Sequence, residues 1–188
     1  MQRSALYKTI VPLFCIAGFV VDLIAFHPGF LNYDSFVQYK EALAGQYTDW
    51  HPPVMAAFWR MLNFIDNGPL LMLVFQLSCL WISCYLLLSM MRNWFWFILI
   101  AFFTLAPFTQ NFAGFIVKDS QMALTLLLSG TIMFRALVAE RKMAPLETIV
   151  SLVLIVYATW VRHNAFTCTL PFLYDVGMAG IKEHRYCL

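Results

Sequence analysis

The chain has 188 residues, of which 62% are apolar, 17% aromatic and only 12% charged, and its mean hydropathy is +0.73. About a quarter of an ordinary soluble domain is charged, so this composition excludes one and points to a polytopic membrane protein. Twelve Lys and Arg against ten Asp and Glu leave a net charge of only +2, and no nucleic-acid partner is expected.

At about 20 residues per crossing, the length allows five or six spans and little else. The expected fold is all-α: a polytopic membrane helical bundle of five or six transmembrane helices, with two interfacial helices in the first extracytoplasmic loop. The first span is read at 10–26. It could pass for a signal peptide, but it carries Asp22 and ends at Phe26-His27-Pro28 without a small-x-small cleavage site, so a retained anchor is expected. Asp22 is expected to face the bundle or its outer edge, in a packing or hydrogen-bonding role.

A polar loop then occupies 27–68. Within it Tyr33 to Tyr47 fits a helix lying along the interface, with Asp34, Gln38 and Glu41 on one stripe, Phe36, Tyr39 and Leu43 on another, and Gly45 loosening its end. Pro52 and Pro53 suit the first turn of a second helix, Val54 to Ile65, which carries Arg60. Further spans are read at 69–91, at 94–117 with a kink at Pro107, at 122–138 and at 146–161. A weaker sixth lies at 165–181, where Pro171, Asp175, Gly177 and Gly180 interrupt the apolar run. One domain is expected over 1–188, with no repeat or linker.

With the N-terminus in the cytoplasm, eight of the twelve Lys and Arg fall inside, the direction the positive-inside rule requires. The loop 27–68, Lys118-Asp119 and Arg162-His163-Asn164 then share the outer face. An integral protein of a bacterial inner (plasma) membrane, surrounded by lipid, is the expected localisation. The five cysteines have no CxxC or metal-ligand spacing and read as small buried apolar residues. There is no Gly-rich phosphate loop, HExxH or nucleophile elbow, which removes support for a cytoplasmic nucleotide-sugar or ATP site.

Charged side chains beside a bilayer are costly, so the polar clusters carry more functional information than the apolar spans. A hydroxyl or amine attacking an anomeric carbon needs a carboxylate to take its proton. A departing lipid phosphate needs cations or hydrogen-bond donors. Asp34 could serve the first need, and Lys118, Arg162, Arg60 or His51 the second.

Tyr33-Asp34-Ser35, a short amphipathic helix, Asp49-Trp50-His51-Pro52-Pro53, Lys118-Asp119 after a Pro-bearing span, and Arg162-His163-Asn164-Ala165 with Pro171 downstream together resemble the N-terminal membrane half of GT-C type glycosyltransferases. The resemblance implies transfer of a sugar from a polyprenyl-phosphate carrier to a glycan or lipid acceptor on the extracytoplasmic face. It maps the acidic catalytic residue of the first loop onto Asp34. Substrate-binding roles fall on His51, Lys118 and Arg162, with Asp49, Asp119, Arg60 and His163 beside them. Full members are longer, so the resemblance implies a truncated product or one piece of a split enzyme, with a missing C-terminal half or a partner subunit, or else a minimal homologue. No cofactor is expected; a divalent site would need folding to gather Asp34, Asp49 and Asp119.

Each residue also has a plainer reading. Asp34 could cap its helix, Asp49 could cap the next one or bind a metal, and His51 could be a turn residue. Lys118 and Asp119 could form an interfacial ion pair, and Arg162 and His163 could anchor a span at headgroups. A transporter or flippase subunit, or a noncatalytic assembly partner in cell-envelope glycan synthesis, would use similar helices.

Overall fold

A computed structural model describes residues 2–162, 165–167 and 169–170. Within them the chain forms eight helices: α1 Gln2–Phe26, α2 Tyr33–Ala44, α3 Pro53–Leu62, α4 Leu70–Met91, α5 Trp94–Leu105, α6 Pro107–Gly114, α7 Lys118–Val138 and α8 Pro145–Val161. The apolar stretch Leu6–Phe26, α4 and α7 are 21 or 22 residues long, and at 1.5 Å per residue they reach about 31 to 33 Å, enough for the hydrocarbon core.

Among the described residues three helices are long and apolar enough to cross, and a fourth crossing arises if α5 and α6 count as one broken span, fewer than the expected five or six. The kink expected at Pro107 is a full break, with α5 and α6 bent by 53°. Proline disfavours α conformation in the residue before it, and Ala106 accordingly sits at φ −61°, ψ 140°. Gln110 Nε2 donates to the Thr104 carbonyl at 2.8 Å, beside the break. The apolar helix α8 has 17 residues, about 25 Å, short of a full crossing. The segment read as a sixth span falls mostly outside the described residues.

The central helix is α4, which packs against α1, α5 and α7, while α8 covers the far side of α7. Its neighbour α1 buries only a narrow stripe, Tyr7, Val11, Cys15 and Asp22, and turns Leu6, Leu13, Ile16, Val20, Val21 and Ile24 outward. Apolar exposure on that scale suits a lipid surrounding. Asp22 belongs to the bundle interior, where Trp81 Nε1 donates to its Oδ2 at 2.7 Å. Gly18 makes this possible: a Cβ there would stand 2.0 Å from the Trp81 ring.

The two ends of the bundle are closed differently. At one end Tyr7 donates to the Leu88 carbonyl at 3.0 Å and meets Trp94 edge-on. At the other, Phe30 N donates to Gly114 O at 3.2 Å and Ile116 N to Phe30 O at 2.9 Å. This backbone bridge ties the chain after α1 to the chain after α6. It delivers the polar loop to the start of α7.

The first loop folds as two short helices. Asn32 caps α2, its Oδ1 accepting from Ser35 N at 2.8 Å, and Gly45 ends it in the left-handed region at φ 66°. That stop shortens the expected helix by three residues, because an L side chain is strained there. Pro53 opens α3, which closes at Asn63. The polarity of α2 is inverted relative to a water-facing helix: Ser35, Gln38, Glu41 and Ala42 are buried, whereas Tyr33, Phe36 and Leu43 are exposed.

Candidate functional site

The site is assembled by three separate stretches of chain at the end of the bundle that holds α2 and α3. Asp34 occupies the second position of α2, half-buried, in the first turn, where the helix dipole favours a negative charge. It is not the cap, since Asn32 fills that position. Its neighbour Ser35 donates its hydroxyl to the Ile116 carbonyl, which holds the start of α2 against the segment leading into α7. Among the described residues the Asp34 carboxylate has neither a hydrogen bond nor an ion pair.

Lys118 is the first residue of α7, and its Nζ lies 2.9 Å from His51 Nδ1. An ammonium has only protons to give, so Nδ1 accepts and the ring proton sits on Nε2. His51 is 6% exposed, and the two prolines behind it lead straight into α3. Asp119, one residue after Lys118, pairs with Arg162 at the end of α8. In place of the Lys118–Asp119 ion pair of the plainer reading stand two longer-range contacts, Lys118 with His51 and Asp119 with Arg162. These contacts join the first loop, the start of α7 and the end of α8.

Among the described residues, Asp49 and Arg60 take no part in these contacts. Asp49 is exposed and does not cap α3, whose Ncap is Pro52 with no side-chain bond. Arg60 is in the last turn of α3 and lays its guanidinium over Gly45, where a Cβ would collide with it. That places a cation at the C-terminal end of α2, favourable for its dipole, rather than beside Lys118. His163 lies outside the described residues. Among the described residues no three His, Cys, Asp or Glu side chains come together in a metal-holding group.

A cavity of about 370 Å³ opens beside the cluster, lined by Pro52, Pro53, Val54, Thr159, Trp160 and Phe166. It is largely apolar, and it borders His51 through Pro52 and Arg162 through the last turn of α8. Its walls come from the chain entering α3, from the last turns of α8 and from Phe166 beyond it.

Beneath the site runs a buried amide ladder. Gln76 Nε2 donates to the Ala113 carbonyl, Gln121 Nε2 to Gln76 Oε1 at 2.7 Å, and Tyr157 to Gln121 Oε1 at 3.3 Å. It joins α4, α6, α7 and α8 one turn below Lys118. Sequence reading passed over these glutamines, although Gln76 is an isolated polar residue in an apolar run, which is itself a signal. It also left Ser35 and Glu41 without a role. Compared with protein-family models, curated proteins and solved structures, the chain matches none.

Proposed function

We propose that this chain is a membrane glycosyltransferase of GT-C type, or the N-terminal part of one. It transfers a sugar from a polyprenyl-phosphate carrier to an acceptor on the extracytoplasmic face. The observation that carries the reading is the meeting of His51 with Lys118, and of Asp119 with Arg162, near a mostly apolar cavity, while Asp34 carries a carboxylate unpaired among the described residues in the first turn of α2, whose Ser35 is bonded to the segment leading into α7. A lipid-linked phosphate sugar needs those three environments together: a greasy slot, a cationic contact and a base.

In this reading Asp34 takes the proton of the attacking acceptor hydroxyl as the new glycosidic bond forms. The phosphate leaves with the bonding electron pair, and its charge is met by Lys118 and by the free N–H groups at the start of α7. Lys118 is suited to this because no carboxylate pairs with it among the described residues. Arg162 is already matched by Asp119, so it orients more than it neutralises. The isoprenoid lies along the slot between Pro53 and Trp160.

The test is Asp34→Asn in proteoliposomes supplied with a polyprenyl-phosphate sugar and a glycan or lipid acceptor. Losing a general base lowers transfer by about 10² to 10⁴, with membrane insertion and helix content unchanged. Transfer at the unaltered rate removes Asp34 from the mechanism. A transport subunit instead predicts carrier-lipid translocation without any new glycosidic bond, which the same vesicles report.

A further inference from the structure

Glu41 is a carboxylate where an apolar residue would be expected, on the inward face of α2 and 6% exposed. Burying a charge costs free energy unless hydrogen bonds replace its water. Here Oε1 accepts from both the backbone N–H of Thr48, at 3.2 Å, and the Thr48 hydroxyl, while Oε2 is buried with no partner among the described residues. The main-chain carbonyl of the same residue takes Gly45 N at 2.8 Å. Glu41 therefore holds both the beginning and the middle of the chain that leaves α2.

We propose that Glu41 is a positioning residue, a buried strut that sets the His51 ring against Lys118 through Thr48. The segment between Gly45 and Pro52 contains no helix, and residues 46–50 are exposed. Thr48 is the point at which its middle is anchored to the body of the protein. His51 follows three residues later, buried, with its Nδ1 on Lys118. Two bonds to one residue, from its backbone N–H and its hydroxyl, fix its orientation as well as its place, so the turn reaches His51 in a single register. Released from Glu41, the segment is held at its ends, and the imidazole loses the alignment that an ammonium contact requires. The consequence for sugar transfer rests on the functional reading above, whereas the geometry of the strut does not.

Ring-nitrogen NMR of ¹⁵N-histidine-labelled protein in detergent micelles reads this directly, with His51→Gln identifying the His51 signals. The unaltered protein shows one fixed tautomer, protonated at Nε2. Glu41→Leu moves the signals to the averaged values of an unrestrained imidazole, and Thr48→Val, which keeps the backbone bond, moves them part of the way. Glu41→Gln and Thr48→Ser, each retaining an oxygen at the contact, restore the fixed pattern. Sugar transfer falls about tenfold in Glu41→Leu, as expected when a binding group is misplaced. A purely structural Glu41 would lower thermal stability and leave the ring signals of the folded protein unmoved, which overturns the proposal. If Glu41→Leu does not insert, Thr48→Val decides on the same signals. A fixed ring in a wild-type protein that transfers no sugar sinks the functional reading and leaves the strut standing.

Discussion

Replacing Gln121 with Leu tests whether the amide ladder holds the bundle together under the site. Gln121 makes one short bond to Gln76, at 2.7 Å, and one longer bond from Tyr157, at 3.3 Å. Interhelical hydrogen bonds in a membrane are worth about 0.6 to 1.7 kcal/mol, and a buried group left without a partner costs about 1 to 3 kcal/mol more. The change strands Gln76 Oε1 and weakens the hold on the Tyr157 hydroxyl, so a loss of about 2 kcal/mol is expected. Gln76→Leu costs about 3 kcal/mol on the same scale, because it also abandons the carbonyls of Ala113 and Phe115.

The double variant is the decisive one. With both amides gone no stranded oxygen remains between α4 and α7, and the combined loss should fall short of the sum by about 1 to 2 kcal/mol. Equilibrium unfolding in mixed detergent micelles, followed by far-UV circular dichroism, gives the three values. Strict additivity, or a Gln121→Leu protein within about 0.3 kcal/mol of wild type, refutes the ladder as a cooperative element.

Gly18→Val drives a branched side chain into the Trp81 indole, where even a Cβ stands 2.0 Å away. Overpacking of this kind costs about 1 to 3 kcal/mol, and a shifted Trp81 emission should accompany it as the bond to Asp22 lengthens. Asp119→Asn should change stability by less than about 1 kcal/mol, because both partners of its pair with Arg162 are well exposed, at 49% and 41%. A larger loss in the unfolding titration would mean the pair is shielded from solvent by more than the described residues show.

Composition alone placed the chain in the membrane class, and the periodicity of the apolar runs located the helices. Pro69 to Met91 and Leu146 to Val161 were read within a residue of α4 and α8. Those elements are written locally: a run of apolar residues, a proline at the start, a polar residue at the end. Gly45 and Pro107 were also visible as interruptions, but how much they interrupt depends on backbone angle. Gly45 stops α2 outright, and Pro107 turns a kink into a break with a 53° bend.

What the sequence by itself determined was which residues are expensive to keep beside a bilayer: Asp34, His51, Lys118 and Arg162 stood out from the apolar background. Only the tertiary structure decided who pairs with whom. Lys118 and Asp119 are adjacent in the chain, yet successive residues on a helix point about 100° apart. Each therefore meets a partner from another element, His51 and Arg162, rather than its neighbour. The facing of α2 was likewise undecided by its stripes, because periodicity tells which residues share a face and not which face turns inward. Packing against the rest of the bundle put Gln38 and Glu41 inside and Phe36 and Leu43 outside.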